Sequence, residues 1–212
     1  MTRARLEAGL DQLGLDVSTG AVDGLLHYSE LLKEWSGTFN LVARRDRRQL
    51  LERHILDSLS IAPWLQAGRL LDVGTGAGLP GLPLAIIKPE MEVTLLDGTG
   101  KKIRFIRHVQ RTLCLDNINP LQQRIELLEP GKIFANITAR AFGSLRDFVV
   151  AVRSCTDGAT RVLAMKGAYP SEELKGLPDW VKLHSVEQLA IPGLGAARHL
   201  VIMSTLNRAI DK

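Results

Sequence analysis

Apolar positions in the first third of the chain recur at three- and four-residue intervals. Leu6, Leu10, Leu13 and Leu15 form a short stripe, and Val22, Leu25, Leu26, Leu32 and Trp35 follow behind Ser18 or Thr19 as a cap. Leu50, Leu51, His54, Ile55 and Leu59 point inward from a third segment, Asp46 to Pro63. This spacing predicts three helices.

The pattern changes at Gly68. Short β-rich runs at Arg69–Val73, Glu92–Leu96, Asn117–Leu121, Ile133–Thr138, Thr160–Met165, Lys182–Leu189 and Arg198–Thr205 read as strands. Helical patterns lie between them around Pro83–Ile87, Lys101–Leu113 and Ser144–Arg153. Strands alternating with helices predict a doubly wound α/β fold with a parallel sheet. The last two strands are joined by a loop containing Pro192, Gly193 and Gly195, too short for a crossover helix, so they should form an antiparallel pair. The expected organisation is a helical extension over residues 1–66 packed on a sheet domain over 67–212.

Composition adds little until it is divided along the chain. The whole carries a formal net charge of +4. Residues 1–66 hold 8 Lys/Arg against 9 Asp/Glu and residues 67–212 hold 19 against 14, so the basic excess sits in the sheet domain. That excess favours polyanionic partners only weakly. Cys114 and Cys155 lack Cys or His neighbours at ligand spacing, which argues against a metal cluster, and their apolar surroundings predict buried, inert thiols. No apolar run approaches the ~20 residues that span a bilayer, and the N-terminus has no signal core, so a cytoplasmic chain is expected.

The strongest chemical signal is Leu70-Leu71-Asp72-Val73-Gly74-Thr75-Gly76-Ala77-Gly78-Leu79-Pro80-Gly81, a strand running through a Gly-rich turn into a helix. Gly74, Gly76 and Gly78 permit a sharp turn and close approach of a ligand. The spacing Gly76-x-Gly78-x-x-Gly81 also matches the dinucleotide pattern. Charge separates the two ligands. A pyrophosphate over the helix N-terminus would be repelled by Asp72, whereas the cationic ammonium and sulfonium of S-adenosylmethionine suit it. Asp97 ends the next strand, 21 residues beyond Gly76, where a carboxylate accepts from ribose hydroxyls. Five parallel strands followed by a hairpin also fit a methyltransferase sheet of the Rossmann-like class I type, while dehydrogenases repeat the βαβ unit. A tight turn with no ligand is the remaining reading.

The strings Arg53-His54-Ile55-Leu56-Asp57-Ser58 and Gly78-Leu79-Pro80-Gly81 resemble the bacterial glucose-inhibited division protein B family, the small-subunit ribosomal RNA guanine-N7 methyltransferases. Further matches follow in order: Leu95-Leu96-Asp97 with Lys101, Arg124-Ile125-Glu126, Arg140-Ala141-Phe142, Lys166-Gly167 and Arg198-His199-Leu200. The resemblance covers nearly the whole chain, the first ~45 residues in pattern only. It implies S-adenosylmethionine as cofactor, S-adenosylhomocysteine as product, and 16S rRNA as partner within the 30S subunit or an assembly intermediate. It also implies that Gly74 and Leu79 line the cofactor loop, that Ile125 and Glu126 flank the adenine, and that Arg140 borders the site. After Asp97 the family usually has Ser, where this chain reads Gly98-Thr99-Gly100, so the ribose side should be less fixed.

Guanine N7 is a bare lone pair, so methylation there needs alignment and no general base. Consistently, the chain has no Asn-Pro-Pro-aromatic motif and no Pro-Cys nucleophile. Arg140 is a candidate donor to guanine O6 or the cofactor, Phe142 a candidate stacking ring or a core residue, and Lys166 a candidate at a strand end facing the crevice. RNA contacts are expected from Arg44, Arg45, Arg47 and Arg48, and from Arg198 and His199. Lys101, Lys102 and Arg104, with Arg107 and Arg111, make either an RNA stripe or a solvated helix face. His54 and Asp57 lie three apart on one helix and have no assigned role. A monomer is the default state. Rival readings are a methyltransferase for another RNA, a protein or a small molecule, a nicotinamide-dependent oxidoreductase, and an RNA-binding assembly factor without catalysis.

Overall fold

A computed structural model describes residues 2–43, 46, 49–129 and 131–206. The first two helices form where the apolar spacing places them, as α1 (Arg3–Gln12) and α2 (Thr19–Phe39). Ser18 caps α2, its hydroxyl accepting from the Ala21 N–H at 3.2 Å, which satisfies one of the unpaired donors of the first turn. The third segment differs from expectation. It runs as a π-helical turn over Leu51–Leu56 into α3 (Asp57–Leu59), then a 3₁₀ turn at Ala62–Trp64. Its apolar residues are buried as the pattern requires, and Glu52, His54, Asp57 and Ser58 are buried with them. Wide turns of this kind concentrate at functional sites, and this one carries Arg53 and His54.

The strands are β1 (Leu70–Val73), β2 (Val93–Leu96), β3 (Ile118–Leu121), β4 (Asn136–Arg140), β5 (Arg161–Lys166), β6 (Val181–Gln188) and β7 (His199–Thr205). They form one sheet in the order β3-β2-β1-β4-β5-β7-β6. Pairing is parallel from β3 through β5, and β7 runs antiparallel to both β5 and β6. Crossover helices α4 (Gly81–Ile87), α5 (Gly100–Leu113) and α6 (Leu145–Val152) sit where expected. α7 (Ser171–Lys175), between β5 and β6, was not anticipated, because five residues with none buried present no periodicity. β4 begins three residues later than its hydrophobic run suggested and extends to Arg140.

Two apolar clusters fill the molecule. One joins Leu6, Leu25, Tyr28, Leu32 and Ile55 of the helical segment to Ile103 and Ile106 of α5 and to Leu95, Leu163 and Leu200 of the sheet. The other packs Phe148, Val149 and Val152 of α6 against Leu71, Ile137, Val162 and Val201. The helical third therefore covers one face of the sheet. Asn136 ties the junction, accepting from the Gln66 N–H at 3.0 Å and donating to the Gln66 carbonyl at 2.8 Å. Cys155 is buried, as expected. Cys114 is exposed, because it terminates α5 in a left-handed conformation (φ 51°) that carries it beyond the packed face.

Candidate active site

Chain order reverses in the sheet at β1, whose neighbours are β2 and β4, and ligand crevices open at the carboxyl ends of strands at such a point. The turn after β1 holds Gly74, Gly76 and Gly78 in left-handed conformations (φ 67°, 61° and 89°), which cost a glycine little. Asp72 lies behind this turn, fully buried. One of its oxygens accepts from the Thr75 hydroxyl at 2.6 Å and the Gly81 N–H at 2.8 Å, and the other, Oδ1, has no partner. Burial pushes this carboxyl up to about 6, against the opposing pull of the two hydrogen bonds and of Arg140. Tyr28 of α2 donates from its buried hydroxyl to the Ala77 carbonyl at 2.8 Å, so the helical segment braces the loop.

Beside the loop is a cavity of about 260 Å³ lined by Val73, Gly74, Leu96, Asp97, Gly98, Gln123, Arg124, Ile125, Glu126 and Phe142. Asp97 Oδ2 accepts from Gly76 N–H (3.0 Å) and from the Lys102 ammonium (3.0 Å), and Oδ1 accepts from Thr99 N–H (2.8 Å). The ribose side is therefore held, contrary to the expectation from Gly98-Thr99-Gly100. The cavity fits an adenosine-bearing cation. A Cβ on Gly74 would meet no atom within 4 Å, so that side of the loop is open to a ligand. Ile125, Leu96 and Phe142 offer apolar surface for a base, and Asp97 and Glu126 supply two carboxylates.

A second cavity, about 390 Å³, is lined by Asp46, Arg53, His54, Asp57, Arg140, Ala141, Met165, Lys166, Gly167 and Arg198. Arg140 Nη1 lies within hydrogen-bond distance of the Arg53 carbonyl (3.2 Å), His54 Nδ1 (3.3 Å) and Asp57 Oδ2 (3.3 Å). Arg198 Nε donates to Asp57 Oδ1 at 2.9 Å. Burial first, and then the charge of Arg140, holds the His54 imidazole down at about 4, so the ring is neutral and Nδ1 accepts from Arg140. Lys166 donates to the Gly143 carbonyl (2.9 Å) and pairs with Glu173 of α7 (2.7 Å). Ala141 separates the two cavities. Its left-handed φ of 57° breaks strand alternation, so Arg140 faces one cavity and Phe142 the other.

The expected site residues divide accordingly. Gly74, Asp97, Ile125 and Glu126 line the first cavity; Arg140, Lys166 and Arg198 line the second. Asp72, Gly76, Gly78 and Leu79 line neither and instead build the turn. Arg140, a candidate donor to guanine O6 or the cofactor, lines the second cavity, and Phe142, a candidate stacking ring or core residue, lines the first and packs on Phe148 (5.3 Å between ring centroids). Lys102, read as part of either an RNA stripe or a solvated helix face, is paired with Asp97, because its position near the start of α5 brings the ammonium back over the β2 end. Lys101 and Arg104 are exposed on α5. His199 lines neither cavity and approaches the Gly167 carbonyl at 3.0 Å. Arg44, Arg45, Arg47 and Arg48 lie outside the described residues. Tyr28, Thr75 and Glu173 were not singled out in the sequence, because their contacts with Ala77, Asp72 and Lys166 arise only in the fold.

A larger cavity, about 650 Å³, lies at the opposite end of the sheet against Trp64, Arg161, His184 and Thr205, away from the glycine turn. Among the described residues no helix is long and apolar enough to cross a membrane, and no three His, Cys, Asp or Glu side chains are grouped to hold a metal ion.

The chain is similar to solved methyltransferases in fold. It superposes on an S-adenosylmethionine-dependent methyltransferase from Aquifex aeolicus with a TM-score of 0.57 at 15% identity, covering 76% of this chain and 94% of that one. TrmN from Thermus thermophilus gives 0.54 at 19% identity, over 70% and 47% of the two chains. In sequence it is 43% identical over 198 residues to the ribosomal RNA small subunit methyltransferase G of Pseudomonas fluorescens, covering 93% of this chain and 92% of that protein. Its counterpart in Alkalilimnicola ehrlichii is 45% identical over 197 residues, 92% and 89% of the two. The GidB family profile matches residues 22–201, which take in both cavities and the helices that brace them; the chain belongs to that family, the rRNA small subunit methyltransferases G.

Proposed function

We propose that this chain transfers a methyl group from S-adenosylmethionine to N7 of a guanine in the decoding-region loop of 16S rRNA, acting in the cytoplasm as a monomer on the 30S subunit or an assembly intermediate. The observation that carries the reading is the placement of two unlike cavities on either side of residues 140–142, one acidic and apolar, the other lined by Arg53, Arg140, Lys166 and Arg198. In this reading residues 1–66 serve as a brace for the catalytic domain over 67–212, reaching the glycine turn through Tyr28.

Gly74, Asp97, Ile125, Glu126 and Phe142 would hold the adenosine end of the cofactor, which supplies an electrophilic methyl on a sulfonium. The remaining work is binding and alignment, because guanine N7 has no proton to lose. His54, held neutral between Arg140 and its buried surroundings, is placed to support the guanidinium. The cationic wall suits phosphate and the O6 edge of guanine. Incubation with labelled cofactor and 16S rRNA, followed by digestion to nucleosides, tests the proposal: label in 7-methylguanosine supports it. Label in a different nucleoside, or in protein alone, favours a methyltransferase of another specificity.

A further inference from the structure

The buried carboxylate of Asp57 joins three separate parts of the chain. It sits on α3, 3% exposed in its side chain, and receives Arg140 from the end of β4 and Arg198 from just before β7. The two arginines are themselves only 23% and 20% exposed. Their bonds leave one edge of each guanidinium unused. Among the described residues, Arg140 makes its hydrogen bonds to protein through Nη1 alone. Arg198 uses Nε for Asp57 and Nη1 for the Ala197 carbonyl. Nε and Nη2 of Arg140 and Nη2 of Arg198 thus remain as donors on residues that line the second cavity. Two guanidinium groups this close repel one another unless a carboxylate lies between them.

We propose that Asp57 is a positioning residue of the methyl-transfer site, its two oxygens fixing Arg140 and Arg198 so that their unused edges meet an anionic or carbonyl oxygen of the entering RNA nucleotide. This rests on the RNA-methylating reading above. Asp57, 3% exposed, acts through the two arginines. A planar guanidinium held by one edge has its other edge preset for bidentate recognition.

The test compares Asp57→Asn, which keeps the shape and one acceptor oxygen, with Asp57→Glu. Side-chain NMR of the Arg198 Nε–H needs no RNA. In the wild type this proton should be slowly exchanging and well dispersed, and in Asp57→Asn it should exchange rapidly. The expected kinetic result is a kcat for rRNA methylation lower by about 30-fold or more, with S-adenosylhomocysteine affinity within about threefold, and partial recovery in Asp57→Glu. In an Arg198→Gln background Asp57→Asn should cost no more than about a further threefold, since paired residues are non-additive. An unchanged Arg198 signal in Asp57→Asn overturns the proposal, as does a loss of activity that tracks thermal stability alone. A wild-type chain that methylates no RNA overturns the functional reading, and the Arg198 signal then decides the positioning independently.

Discussion

Asp72 shows how much a single residue contributes to the loop and at what cost. Its carboxyl accepts from Thr75 and Gly81 while its second oxygen stays unpaired, and burial raises its pKa from 3.8 to about 6. A folded-state value above the unfolded one means that the folded chain binds the proton more tightly. The associated stability is fully present below the unfolded pKa and is lost as pH rises through about 6. The shift corresponds to about 3 kcal/mol by linkage, more than about 1 kcal/mol of it lost between about pH 5 and about pH 7. Wild-type stability should therefore fall relative to Asp72→Asn across that interval in urea titrations. A difference that stays constant with pH would show that the buried carboxyl is not titrating there. Asp72 was legible as a site residue from its place before the glycines. That it would support the loop from behind was not, because which side of a strand end faces the ligand depends on the partner strands.

At the scale of elements, the glycine turn and α4 are held together by backbone that approaches too closely for side chains. A Cβ on Gly81 would stand 2.3 Å from Leu95 Cδ2 and 2.8 Å from Asp72 Oδ2. Gly→Ala in a helix ordinarily stabilises, and Gly37 in α2, exposed and with nothing within 4 Å of an added Cβ, should follow that rule by about 0.5 kcal/mol. Gly81→Ala should reverse the sign, costing about 1–3 kcal/mol through overpacking, and should weaken S-adenosylhomocysteine binding. Equilibrium unfolding and calorimetric titration of the two variants check both signs. Periodicity recovered α1, α2, α4, α5, α6 and all seven strands; each of these except β6, which has no fully buried residue, buries apolar side chains. It did not recover α7, which buries nothing, or the π-helical turn at Leu51–Leu56, whose apolar spacing does not distinguish it from an α-helix. The second cavity was only partly legible for the same reason: His54 and Asp57 acquire a role only when β4 and β7 bring Arg140 and Arg198 to them.

Over the whole molecule, the helical third and the sheet share one apolar cluster running from Leu6 to Ile202. The extension over 1–66 therefore has no separate core. Thermal unfolding followed by near- and far-ultraviolet circular dichroism should give coincident transitions; a distinct early transition would show that the helices detach alone. The charge difference, net −1 over 1–66 and +5 over 67–212, places the basic excess in the residues that supply Arg140, Lys166 and Arg198 to the second cavity. That arrangement draws a polyanion toward the cavities and makes its association sensitive to salt.

The most direct test of the account is methyl transfer from labelled S-adenosylmethionine to small ribosomal subunits that lack the modification, followed by borohydride–aniline scission, which cuts RNA at 7-methylguanosine. One new cut is expected, in the decoding-region loop of 16S rRNA, absent when cofactor or enzyme is omitted. Tight cofactor binding with no transfer to subunits, free rRNA or its fragments would contradict it.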